Sequence, residues 1–159
     1  MKDSQEQIKV MELLAKNEEM AGKLYELFKM KLPAHGKFWN SLAKEELVHA
    51  SWIRKIYPEV KTGRLTFNKD RFSPRLIQNS INYLERKISQ SRKRKISFQK
   101  ALEAALEVEI TFPESNFFKV YDTDSRKLKQ LLNALKDAFG EHRDKLLDML
   151  HENRRQRTA

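Results

Sequence analysis

Residues 8–28 read IKVMELLAKNEEMAGKLYELF, and residues 42–53 read LAKEELVHASWI. In the first stretch Ile8, Met11, Leu14, Ala21, Tyr25 and Phe28 recur at steps of three, four and seven, the period of one amphipathic helix. Glu18 interrupts that stripe at its centre, four residues after Leu14 and seven before Tyr25. In the second stretch Glu46 and His49 lie on the stripe that carries Phe38, Leu42 and Ile53. Their i, i+3 spacing places both side chains on one face, about one turn apart. The first helix is expected over about 4–31, where Pro33 stops it. The second is expected over about 35–56 and ends at Tyr57-Pro58, because the residue before a proline resists αR geometry. Two long helices joined by so few residues must pack antiparallel, as an αα-hairpin.

Working outward, residues 58–72 contain Gly63, Thr66, Asn68 and Asp70 and read as loop. Ser73-Pro74 then supplies an N-cap followed by a first-turn proline, and a medium helix is expected to about residue 89. A third long pattern starts near Arg92, carries Phe98, Leu102, Ala105, Phe112 and Phe117, and continues to about Tyr121 despite Pro113 in its interior. Thr123-Asp124-Ser125 caps a fourth, striped by Leu128, Leu132, Leu135, Phe139, Leu146 and Leu150. Glu109 breaks the stripe of the third helix and His142 that of the fourth. Two hairpins joined by a long connection with its own shorter helix is the layout of an all-α, antiparallel four-helix bundle with one long crossover. A single domain over 1–159 is expected, with a basic tail from about residue 152.

Composition supports a helical core and narrows the chemistry. Of 159 residues 40% are hydrophobic and 34% charged, while Gly and Pro number only 4 each, which favours long helices over turn-rich β architecture. Cysteine is absent, so disulfides, zinc ribbons, iron–sulfur clusters and thiol nucleophiles are excluded, and a metal must be held by carboxylates and imidazoles. The opening MKDSQEQIKV has no apolar stretch of signal-peptide length and no run approaches about 18 apolar residues, so a cytoplasmic chain without a membrane span is expected.

Each long helix therefore carries a polar interruption near the middle of its apolar stripe: Glu18, Glu46 with His49, Glu109, and His142. An ionised carboxylate in an apolar core costs several kcal/mol unless paired, and three in one core repel one another. A bound cation removes that cost. The donor types suit iron, manganese or zinc alike.

Asn17-Glu18-Glu19-Met20-Ala21 with Tyr25, followed by Glu46-Leu47-Val48-His49-Ala50, resembles the first half of the ferritin-like, rubrerythrin-type di-iron carboxylate proteins. The resemblance implies that Glu18 is a terminal ligand, Glu46 a bridging ligand and His49 a terminal ligand of a first metal, with Glu109 and His142 serving a second. Glu107 lies on a different helical face and is the alternative to Glu109. The resemblance further implies one or two irons, reductive chemistry on oxygen or peroxide, Tyr25 as a hydrogen-bonding catalytic residue, and a separate electron-donor protein, since no cysteine is present to hold an attached rubredoxin iron. A core tyrosine with some other partner is the plainer reading of Tyr25. A homodimer is compatible with such a bundle. The chain departs from the family at Phe139, three residues before His142, where a second bridging Glu is expected. Glu141 points roughly 100° away and cannot replace it. A phenyl between the ions and one missing negative charge should weaken the second metal position. Pro113 should kink the third helix beside Glu109.

The formal charge is +10, from 32 Lys and Arg against 22 Asp and Glu. Arg86, Lys87, Arg92, Lys93, Arg94, Lys95 and Lys100 form a run without an acid, and the end reads Asn153-Arg154-Arg155-Gln156-Arg157. A solvated helix junction and a frayed tail are expected. The rival function is a basic interaction module whose Arg92, Lys93, Arg94 and Lys95 contact nucleic acid or an acidic partner.

Overall fold

The computed structural model describes residues 2–68, 74–111 and 121–158. These are almost entirely helical: α1 (Lys2–Lys31), α2 (Gly36–Lys55), α3 (Tyr57–Lys61), α4 (Pro74–Lys93), α5 (Phe98–Thr111) and α6 (Arg126–Thr158). The one sheet among the described residues pairs β1 (Thr66–Phe67) antiparallel with β2 (Tyr121–Asp122). No helix among these residues is long and apolar enough to cross a membrane.

The first hairpin forms where proline demands it. The Leu32 N–H closes the last bond of α1 on Phe28 O at 2.8 Å, and a single 3₁₀ turn over Pro33–His35 leads directly into α2. The pairs Glu12–Arg54, Glu18–His49 and Lys29–Asn40 show α1 and α2 running antiparallel. Glu109–His142 and Gln99–Asn153 show the same of α5 and α6, and Glu46–His142 with His49–Phe139 the same of α2 and α6. Lys31 at the end of α1 reaches the Arg92 and Arg94 carbonyls at the end of α4, so α4 runs parallel to α1, against which it packs. The core is built from the apolar stripes: Met11, Leu14, Leu24 and Phe28 of α1, Trp39 and Leu42 of α2, Ile77, Ile81 and Leu84 of α4, and Leu102 of α5 are all buried. Each such side chain contributes about 1.5–3 kcal/mol relative to exposure.

Several boundaries differ from those read in the sequence. The loop expected over 58–72 contains α3, because Pro58 stands in a first helical turn, where its missing N–H is not needed. The medium helix continues past residue 89 to Lys93, and α5 starts at Phe98 rather than near Arg92. Ser97 sets that start: its hydroxyl accepts the Lys100 N–H at 3.2 Å. The third helix does not reach Tyr121, which lies in β2. Phe112, Pro113, Phe117 and the Ser73 cap lie outside the described residues. Ser125 caps α6 as expected, accepting the Leu128 N–H at 3.3 Å. The terminal basic stretch is not frayed: residues 153–157 continue α6, and the Asn153 amide donates to Gln99 Oε1 at 3.0 Å.

Candidate metal centre

All five polar interruptions are buried. Glu18 is 2% exposed, Glu46 0%, His49 3%, Glu109 5% and His142 0%, so these are core positions rather than stripe edges. Four helices deliver them to one level: α1 brings Glu18, α2 Glu46 and His49, α5 Glu109, and α6 His142. Glu107, by contrast, lies exposed on α5 and accepts from the Tyr83 hydroxyl.

Glu46 stands at the centre. One of its oxygens is 3.5 Å from His49 Nδ1 and the other 2.8 Å from His142 Nδ1. Glu18 approaches the same His49 nitrogen at 3.5 Å, and Glu109 approaches His142 Nδ1 at 3.9 Å. Ligand atoms of Glu46, His49 and His142 all lie within 4.8 Å of one another. Glu18 and Glu109 flank that group on opposite sides. Both ring nitrogens of His142 meet carboxylates at ion-pair distance, Glu46 on one side and Glu45 on the other, although these contacts are not aligned as regular hydrogen bonds. The convergence of three buried carboxylates and two buried imidazoles is an arrangement that shared protons hold and that a cation would also satisfy.

Burial, and then repulsion from Glu18, push the Glu46 carboxyl up to about 7. For His49, burial would depress the imidazole, but the Glu18 and Glu46 carboxylates outweigh it and lift it to about 9. His142 is likewise depressed by burial and raised on balance by Glu109, Glu45 and Glu46. Protons therefore hold this cluster together without a metal, and a metal must displace them.

The structure adds a residue that sequence reading missed. Glu45 Oε2 lies 2.6 Å from His142 Nε2, while Lys145 Nζ holds its other oxygen at 2.6 Å. The His142 contact keeps the Glu45 carboxyl down at about 2 against its partial burial. A carboxylate behind an imidazole fixes the ring's orientation and raises its basicity as a ligand. A periodic signal was available, since Glu45 stands seven residues after Phe38 and four before His49, at the edge of the same stripe, but Glu46 at its centre drew the reading.

Tyr25 is fully buried, and its hydroxyl donates to Glu109 Oε1 at 3.1 Å, so its partner is one of the carboxylates of the cluster. Phe139 is also found at the site, stacked on His49 with ring centroids 3.9 Å apart and planes 16° apart. It backs the His49 ring. Glu141 is exposed, as its position on α6 requires.

A donor set of two imidazoles and three carboxylates suits iron, manganese or zinc better than calcium or magnesium, which favour oxygen alone. Comparison with protein-family models, curated proteins and solved structures yields no match to this chain.

Proposed function

We propose that this chain is a ferritin-like, rubrerythrin-type non-haem iron protein that acts as an oxidoreductase on peroxide or oxygen. The observation that carries the metal reading is the buried Glu46 carboxylate, which turns one oxygen toward each of two buried imidazoles. Glu46, His49 and His142 would hold the ion, with Glu18 and Glu109 completing its shell. Three donors within 4.8 Å favour one tightly held ion, and Phe139 in place of a further carboxylate leaves a second position weak.

Helix directions support the ferritin-like reading. Taking α1 as up, α2 runs down, α6 up and α5 down. Consecutive members α2 and α5 of this set of four thus point the same way, and the chain between them must climb the length of the molecule. α4 makes that climb beside α1, as the long crossover of a ferritin-like bundle does.

Bound iron would supply one-electron chemistry on the oxidant. Around it, Tyr25 holds Glu109 by a hydrogen bond and Glu45 holds His142, so the two ligands of the α5–α6 side are both oriented from behind. Electrons would come from a separate donor protein.

The test is metal content per chain by elemental analysis, on protein purified without chelators or a metal affinity column and then titrated anaerobically with ferrous iron. About one iron per chain, followed by peroxide consumption with a chemical reductant, is the expected result. No retained metal and no uptake of ferrous iron would remove the proposal. Uptake without turnover would leave a binding protein and remove the oxidoreductase part.

A further inference from the structure

We propose that the elbow between α4 and α5 is a binding site for a single phosphate group, carried by inorganic phosphate or by a small phosphomonoester. A cavity of about 210 Å³ opens there, lined by Lys87, Arg94, Lys95 and Lys100 together with the Gln90 amide and the Ser91 hydroxyl. No carboxylate lines it. It lies near the end of α1 marked by Lys31, thirteen residues and roughly 20 Å along that helix from Glu18, and so is separate from the metal centre.

Part of the basic run has a structural explanation. Arg92 and Lys93 occupy the last turn of α4, where cations offset the negative end of the helix dipole. Arg94, Lys95 and Lys100 have none. They follow that helix or sit in the first turn of α5, a turn that contains no acid and whose own dipole end is positive. Among the described residues none of the three is paired with a carboxylate. Like charges are thus gathered at a positive helix end, where a bound anion would relieve the repulsion.

Two further observations concern the walls of the cavity and the backbone that carries them. Ser91 is 7% exposed and lines the cavity, so its side chain stands in the wall of the space an anion would fill. Lys31 comes over from α1 and takes the Arg92 and Arg94 carbonyls at 3.2 and 2.7 Å, which fixes the elbow's backbone. The cavity is smaller than the ~300 Å³ at which pockets for drug-sized ligands begin, so it suits one compact anion rather than an extended chain.

The experiment is calorimetric titration of the full chain with inorganic phosphate and, separately, with glycerol phosphate, at low and at near-physiological salt. Saturable binding with one site per chain is expected for at least one of them, and the tighter ligand identifies the source. Arg94→Gln with Lys95→Gln should weaken it by about a hundredfold, and Ser91→Ala by about tenfold with little change in salt dependence. Both variants should keep the helical signal, since Arg94 and Lys95 are exposed and alanine is a strong helix former. Equal binding by the double variant would mean an adventitious ion only, and absence of saturable binding would also overturn the proposal. So would a single-stranded oligonucleotide that binds through Arg94 and Lys95 and is not displaced by free phosphate, because the elbow would then be a nucleic-acid surface.

Discussion

His49 and His142 lie on facing helices with ring centroids 4.7 Å apart, and both turn Nδ1 toward Glu46, yet they are held by different means. Behind His142 stands a charged pair, Glu45 with Lys145. Against His49 lies the flat face of Phe139, and the Trp52 ring also borders it, with centroids 5.7 Å apart. A carboxylate selects one ring orientation and adds negative charge to the site. A stacked phenyl restricts the plane of the ring but supplies no charge. The His142 side should therefore be the better-prepared half for a cation, and the His49 side should depend more on Glu18 and Glu46.

Removing the residues of α2 that serve both halves should have the largest effect. Glu46→Ala with His49→Ala should reduce bound metal from about one per chain to none, a loss of at least a thousandfold in affinity. Full metal content in that variant would show the site assignment wrong. Phe139→Glu sharpens the comparison by giving the His49 side the charge it lacks. Metal content should rise toward two per chain, read by elemental analysis, while the metal-free variant melts lower because another buried carboxylate is unpaired. No rise would mean that charge does not limit the second position.

Glu45→Gln tests the other half. It keeps the shape but loses the charge behind His142, and metal affinity should fall by about 10–100-fold with helical content unchanged. An unaltered affinity would show that Glu45 does not tune the ligand.

pH should move the metal-free and metal-loaded forms in opposite directions. Glu46, at about 7 against an ordinary value near 4.5, and His49, at about 9 against 6.5, both bind protons more tightly folded than unfolded. Stability of the metal-free chain is then fully present on the acid side of these windows. It is lost as pH rises from about 4.5 to 7 for Glu46 and from about 6.5 to 9 for His49. Glu45 has the reverse sign, being stabilising above its ordinary value and less so below, but its window lies under pH 4.5. Metal affinity should instead climb with pH, since the ligands must lose those protons. Thermal melts with and without ferrous iron, taken between pH 5 and 9, read both slopes, and parallel slopes would contradict the proton-held cluster.

The smallest effect is expected at the surface. Arg54 of α2 joins Glu12 and Glu19 of α1, and the Tyr57 hydroxyl donates to Glu12. Arg54 is 38% and Glu12 52% exposed, so Arg54→Ala should cost less than about 1 kcal/mol and leave metal content alone. A larger loss would mean that this clasp, and not only the apolar stripe, holds α1 to α2.

The first hairpin was legible because every local signal agreed there: a helical period on both sides, Pro33 between them, and few residues in which to turn. The second half was harder. A basic run without apolar residues gives no period to follow, so the end of α4 and the start of α5 are set by packing and by the Ser97 cap instead. Tyr121 belongs to β2 because it finds a partner in Phe67, more than fifty residues earlier. No local rule contains that pairing.

By itself the sequence determined the all-helical class, the apolar stripes and the five residues that interrupt them, because amphipathic period and the cost of buried charge are local properties of the chain. Tertiary structure alone decided that Glu46 faces both imidazoles, that Tyr25 reaches Glu109 across 84 positions of sequence, and that Glu45 stands behind His142. Those contacts join helices whose relative rotation and height are set by the packing of the whole core, which no single stretch of residues specifies.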